Sequence, residues 1–103
     1  MKLIQKLSEL IDEEIEGAEC YIKMAIENKS DHKSLADALY DLSMQEMNHV
    51  NILHEQVTQL ISEYRQVKGE PPADMLAVYD YLHRKQIEKA NHVKAYQVMY
   101  KEM

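Results

Sequence analysis

The chain has neither tryptophan nor phenylalanine, a single cysteine, two glycines and two prolines among 103 residues. Each scarcity excludes something. One thiol, Cys20, cannot build an intrachain disulfide framework, and it agrees with a reducing compartment. Pro71 and Pro72 are adjacent, so proline punctuates the chain only once. No stretch alternates Val, Ile or Thr with polar residues, and no strand is expected. No segment approaches the ~20 consecutive apolar residues of a membrane span, and Met1-Lys2-Leu3-Ile4-Gln5-Lys6 lacks an apolar core of signal-peptide length. The longest basic run is Arg84-Lys85 against a formal net charge of -6. That balance argues against a nucleic-acid partner and suits a protein that attracts cations. The expectation is a soluble, cytoplasmic protein with no membrane partner.

What remains is abundant Ala, Leu, Ile, Met, Glu, Lys and Gln, a composition of helix formers, in a length that suits one domain with a modest core. Spacings of three and four predict a first helix over about 2–28, with Leu3, Leu7, Leu10, Glu14, Ala18, Tyr21 and Ala25 on one face. Asn28-Lys29-Ser30-Asp31 interrupts it and offers Ser30 or Asp31 as the next N-cap. A second helix over about 31–67 carries Leu35, Leu39, Leu42, Glu46, Val50, Leu53, Val57, Leu60 and Tyr64 on its stripe. It ends at Lys68-Gly69-Glu70-Pro71-Pro72, a glycine stop followed by prolines that can open a new helix. A third helix over about 72–101 places Met75, Tyr79, Leu82, Ala90, Val93 and Tyr100 on its apolar side. The fold class is therefore all-α: an antiparallel helical hairpin plus a third helix.

Within this pattern Glu46-Met47-Asn48-His49 sets a carboxylate and an imidazole three residues apart near the middle of an apolar stripe. An ionised carboxylate is costly to bury unless something pairs with it, and a metal ion is one such partner. Short loops make neighbouring helices antiparallel. A turn centred near residue 30 then brings Glu14 level with Glu46. Glu9, Asp12, Glu13, Glu16, Glu19 and Glu27 point away from the first stripe, so Glu14 and Glu46 are the two glutamates placed in the two seams. His49 lies one turn further. Glu14, Glu46 and His49 make a set of hard oxygen and borderline nitrogen donors suited to iron, manganese or zinc. A dinuclear carboxylate bundle needs twice that number. A second turn centred near residue 70 puts 91–97 level with the site, and that seam holds Val93 and Gln97 but no acid. The remaining ligands are expected from a second copy, making the protein a homo-oligomer, at least a dimer.

Glu14-Ile15-Glu16-Gly17-Ala18-Glu19-Cys20-Tyr21, followed about thirty residues later by Glu46-Met47-Asn48-His49, resembles the first half of the rubrerythrin branch of the ferritin-like superfamily. It is also similar to the encapsulated ferritins, half-length relatives that build a four-helix di-iron site across a dimer interface. The likeness spans roughly residues 3 to 60; residues 72–103 carry neither a second Glu-x-x-His nor rubredoxin-like cysteines. The resemblance implies a ferritin-like four-helix bundle completed by dimerisation and a di-iron centre that oxidises Fe(II) with dioxygen or peroxide. It assigns metal-ligand roles to Glu14, Glu46 and His49, with Glu46 bridging. It assigns Tyr21 a catalytic part, hydrogen-bonding a ligand carboxylate or serving as a redox-active phenol.

Other readings of the same residues stand beside this one. A non-catalytic oligomer held by zinc or manganese needs the same ligands. A metal-free helical interaction module would use Glu14 and Glu46 as buried polar groups, with Glu46 neutralised by a proton or a partner's lysine. Tyr21 also suits plain packing. His54 lies about 80° off the second stripe and is expected at the surface. His83 and His92 are candidates for a partner contact or for the metal's surroundings, His32 is expected in solvent, and Glu88 with His92 reads as a helix-surface pair. The methionines read as filler.

Overall fold

In the computed structural model, which describes residues 2–103, the chain forms α1 (Lys2–Asn28), α2 (Lys33–Lys68) and α3 (Ala73–Glu102), with no strand among the described residues. The helices pack along one another into a rod of 56 × 19 × 18 Å. The longest, α2, has 36 residues. At about 1.5 Å per residue it runs nearly the whole length of the rod.

The first turn differs from the expected cap. His32, not Ser30 or Asp31, precedes α2, and its side chain makes no capping bond. The reason lies in the backbone. The His32 N–H donates to the Asn28 carbonyl at 2.8 Å and the Ala36 N–H to the His32 carbonyl at 2.9 Å, so helical bonding continues almost through the turn. Lys29 closes the far end of α3 by donating from Nζ to the Tyr100 carbonyl, which also accepts from the Met103 N–H at the C-cap. At the second turn Gly69 adopts φ 81 and donates its N–H to the Arg65 carbonyl. That left-handed conformation is open to glycine at little cost.

The buried side of the hairpin is displaced from the centre of the predicted stripes. Ile4, Ile11, Ile15 and Ile22 of α1 are 0–2 % exposed, whereas Leu3 and Leu10 are 56 % and 38 % exposed. On α2, Ala36, Ser43 and Met47 are buried beside the expected Leu39 and Val50, while Leu35 and Leu42 remain open. Adjacent pairs such as Leu3/Ile4 and Leu10/Ile11 give α1 an apolar arc far wider than one seam. α3 covers its isoleucine half. Val93 completes one core cluster with Ile11, Ile15, Ala18, Met47 and Val50, and Tyr100 completes another with Ile22, Ala25, Ala36 and Leu39. The leucine half of the arc faces outward.

Candidate metal centre

Glu14 stands midway along α1, and Glu46 and His49 stand one turn apart on α2. No glycine or proline interrupts the 33–68 helix, so the Glu-x-x-His spacing holds both side chains on one side of it. One ligand atom from each of Glu14, Glu46 and His49 lies within 4.8 Å of the others. His49 Nδ1 is 3.4 Å from Glu14 Oε2 and 4.0 Å from Glu46 Oε1. The side chains are graded in exposure: 23 % for Glu46, 30 % for Glu14 and 50 % for His49, so the group is closed on its hairpin side and open outward.

Glu14 Oε2 is buried and accepts no hydrogen bond. The His49 contact is within ion-pair range but does not meet hydrogen-bond geometry. A buried carboxylate oxygen without a donor costs about 1–3 kcal/mol or more. A cation between the carboxylates and the imidazole would remove that penalty, and the oxygen and nitrogen donors present fit iron, manganese or zinc. Gly17, one turn beyond Glu14, adds room: a Cβ built there would lie 3.5 Å from Glu46 Oε2. The carboxylate therefore sits directly against bare α1 backbone.

The surroundings are asymmetric. Leu3 and Leu10 lie within roughly 40° of Glu14 around α1, and Leu35 and Leu42 within roughly 40° of Glu46 around α2. All four are more than a third exposed. α3 contributes nothing to the group. Level with it, α3 presents the buried Val93 and Gln97, the latter bonded to Ser43.

Tyr21 is not drawn into the group. It lies two turns beyond Glu14 and packs, half-buried, against the cluster around Ile22 and Leu39. His32, His92 and Glu88 are exposed, with Glu88 3.9 Å from Lys85, and Cys20 is an exposed free thiol. His54 departs from its expected surface position. It is half-buried and stacked on His83, with ring centroids 4.5 Å apart, because α3 covers the side of α2 on which His54 lies. Ser43, Gln86 and Gln97, the buried polar residues, are the positions sequence reasoning gave least weight. Gln97 alone left a signal, an amide inside an apolar stripe.

Comparison of the chain with protein-family models, with curated proteins and with solved structures finds no match. No helix among the described residues is long and apolar enough to cross a membrane.

Proposed function

We propose that two copies of the chain meet on the open leucine-lined face and form a ferritin-like four-helix bundle holding a di-metal carboxylate centre with ferroxidase-like activity. Supporting this reading above all is the convergence of Glu14, Glu46 and His49 beside an unpartnered buried oxygen, on the one side of the hairpin that α3 leaves uncovered. A twofold operation doubles three ligands to six, the number a two-ion site of this type uses. Iron is the metal proposed, with manganese or zinc fitting the same donors.

Glu46, with two carboxylate oxygens, would be the shared ligand, and Glu14 and His49 would complete the set that holds the metal. His49 offers Nδ1 as a ligand when its proton sits on Nε2, so loading leaves no proton on the nitrogen that faces Glu14. The flanking leucines would exclude water from the carboxylates and strengthen their hold on a cation. Tyr21 lies on the same face of α1, two turns beyond Glu14, and the resemblance alone assigns its phenol to a ligand carboxylate. Bound iron would supply the redox chemistry: oxidation of two Fe(II) to Fe(III) would give the two electrons that, with two protons from solvent, take dioxygen to hydrogen peroxide or hydrogen peroxide to two waters.

The test is oxygen consumption on adding Fe(II) to the protein in air-saturated buffer, compared with Glu46→Ala, alongside anaerobic Fe(II) uptake. Fast uptake in the native chain and its loss in the variant are expected. Equal rates would refute oxidation at this site. Stoichiometric metal without oxygen consumption would instead favour a zinc- or manganese-stabilised oligomer, and no metal uptake would leave a metal-free helical module.

A further inference from the structure

We propose that His54 and His83 form a second cation site, which takes a borderline divalent ion of the zinc, nickel or copper(II) class and clips α3 onto α2. His54 Nε2 and His83 Nδ1 face each other at 3.2 Å. Two imidazole nitrogens each about 2.0–2.1 Å from one tetrahedral ion stand roughly 3.3 Å apart, so the spacing already suits a shared ligand. The rings are inclined by 23°. Imidazole rotation about the Cβ–Cγ bond is soft, which lets both lone pairs turn toward one point.

Among the described residues, no other side chain hydrogen-bonds either ring. The pair sits between two cavities of about 250 and 180 Å³, leaving space for an ion and its water. Asp80, exposed one turn before His83, lines the first cavity and would offer anionic charge to an ion held there. Gln86 is already committed, donating to the Ser8 carbonyl, to Ser8 Oγ and to Asp12. Burial, and then the facing His83, hold the His54 imidazole below its ordinary 6.5, a direction that favours the neutral ring a metal ion needs.

The place is distinct from the Glu14–Glu46–His49 group. His54 is five residues beyond His49, roughly 140° around α2, on the side facing α3. α2 and α3 are also the helices that share the least contact, so an ion bridging them would strengthen the weakest seam. Without an ion the pair is a plain N–H···N hydrogen bond.

The experiment is titration of the full chain with Zn(II), read by calorimetry, thermal unfolding and ring-nitrogen NMR. A His49→Gln variant should keep the His54–His83 equivalent. His54→Gln and His83→Gln should each lose one equivalent per chain and the Zn(II)-induced rise in melting temperature. Asp80→Asn should weaken the same equivalent about tenfold. In the native protein Zn(II) should shift the His54 Nε2 and His83 Nδ1 resonances, a readout that needs no variant. Unchanged stoichiometry in both glutamine variants, or ring resonances that do not move, would overturn the proposal.

Discussion

Gln97 Nε2 donates to Ser43 Oγ at 3.0 Å in the buried middle of the rod, and Ser43 Oγ donates to the Ala18 carbonyl at 2.8 Å. Two hydrogen bonds thus join α3 to α2 and α2 to α1. The small Ser43 side chain, with no exposed surface, also lets the helices approach closely.

Ser43→Ala should therefore destabilise the fold by about 1–3 kcal/mol, because it strands the Gln97 amide in a buried site. Adding Gln97→Leu to that change should recover most of the loss by removing the stranded donor. Urea unfolding midpoints for the two singles and the double close the cycle. An additive double variant would show that the contact carries no coupling.

Gly17→Ala should raise stability by about 0.8–1.0 kcal/mol, since glycine inside a helix is poorer than alanine and the new Cβ meets Glu46 Oε2 only at ordinary contact distance. Gly17→Leu should do the reverse for cation binding by displacing the Glu46 carboxylate. Melting curves with and without Fe(II) or Zn(II) distinguish the two effects.

Charging the open face tests the proposed dimer, and it should yield single chains with the fold intact. Leu10 and Leu42 are 38 % and 39 % exposed. Lysine at both positions should change single-chain stability little, within about 0.5 kcal/mol at each site. Sedimentation equilibrium should then give the mass of one chain, with the helical circular dichroism unchanged. A dimer that survives both substitutions would place the contact elsewhere.

The Tyr100 hydroxyl donates to Asp37 Oδ1, and burial together with that carboxylate pushes the phenol up to about 12. The unfolded chain loses this proton near the ordinary 10.0, so the stabilisation is complete below that pH and disappears as pH rises toward about 12. Asp37 runs the other way. The Tyr100 hydrogen bond, then Lys33, holds its carboxyl below the ordinary 3.8, so its contribution is present above that value and is lost as pH falls through the lower folded value. Tyr100→Phe should flatten the alkaline limb of a melting-temperature profile and weaken the acid one.

Much of the candidate site was legible because helices are rulers. Glu14 and Glu46 share a level once the first turn is fixed near residue 30, and the Glu-x-x-His spacing fixes His49 relative to Glu46. His54 was not legible. Its angular distance from the stripe meant surface only so long as nothing covered that side of α2, and α3 does. Ser43 reads as an unremarkable small polar residue until Gln97 arrives from another helix.

The sequence by itself determined three helices, the two breaks between them and the level of the Glu14–Glu46–His49 group, because those follow from residue spacing and from where glycine and proline interrupt it. The tertiary structure decided which half of the apolar arc is buried. Leucine and isoleucine neighbours along α1 are equally hydrophobic, so periodicity cannot choose between them. Packing can, since α3 occupies only one side of the hairpin: it covers the isoleucines, brings His83 to His54, and leaves the carboxylates and imidazole among uncovered leucines.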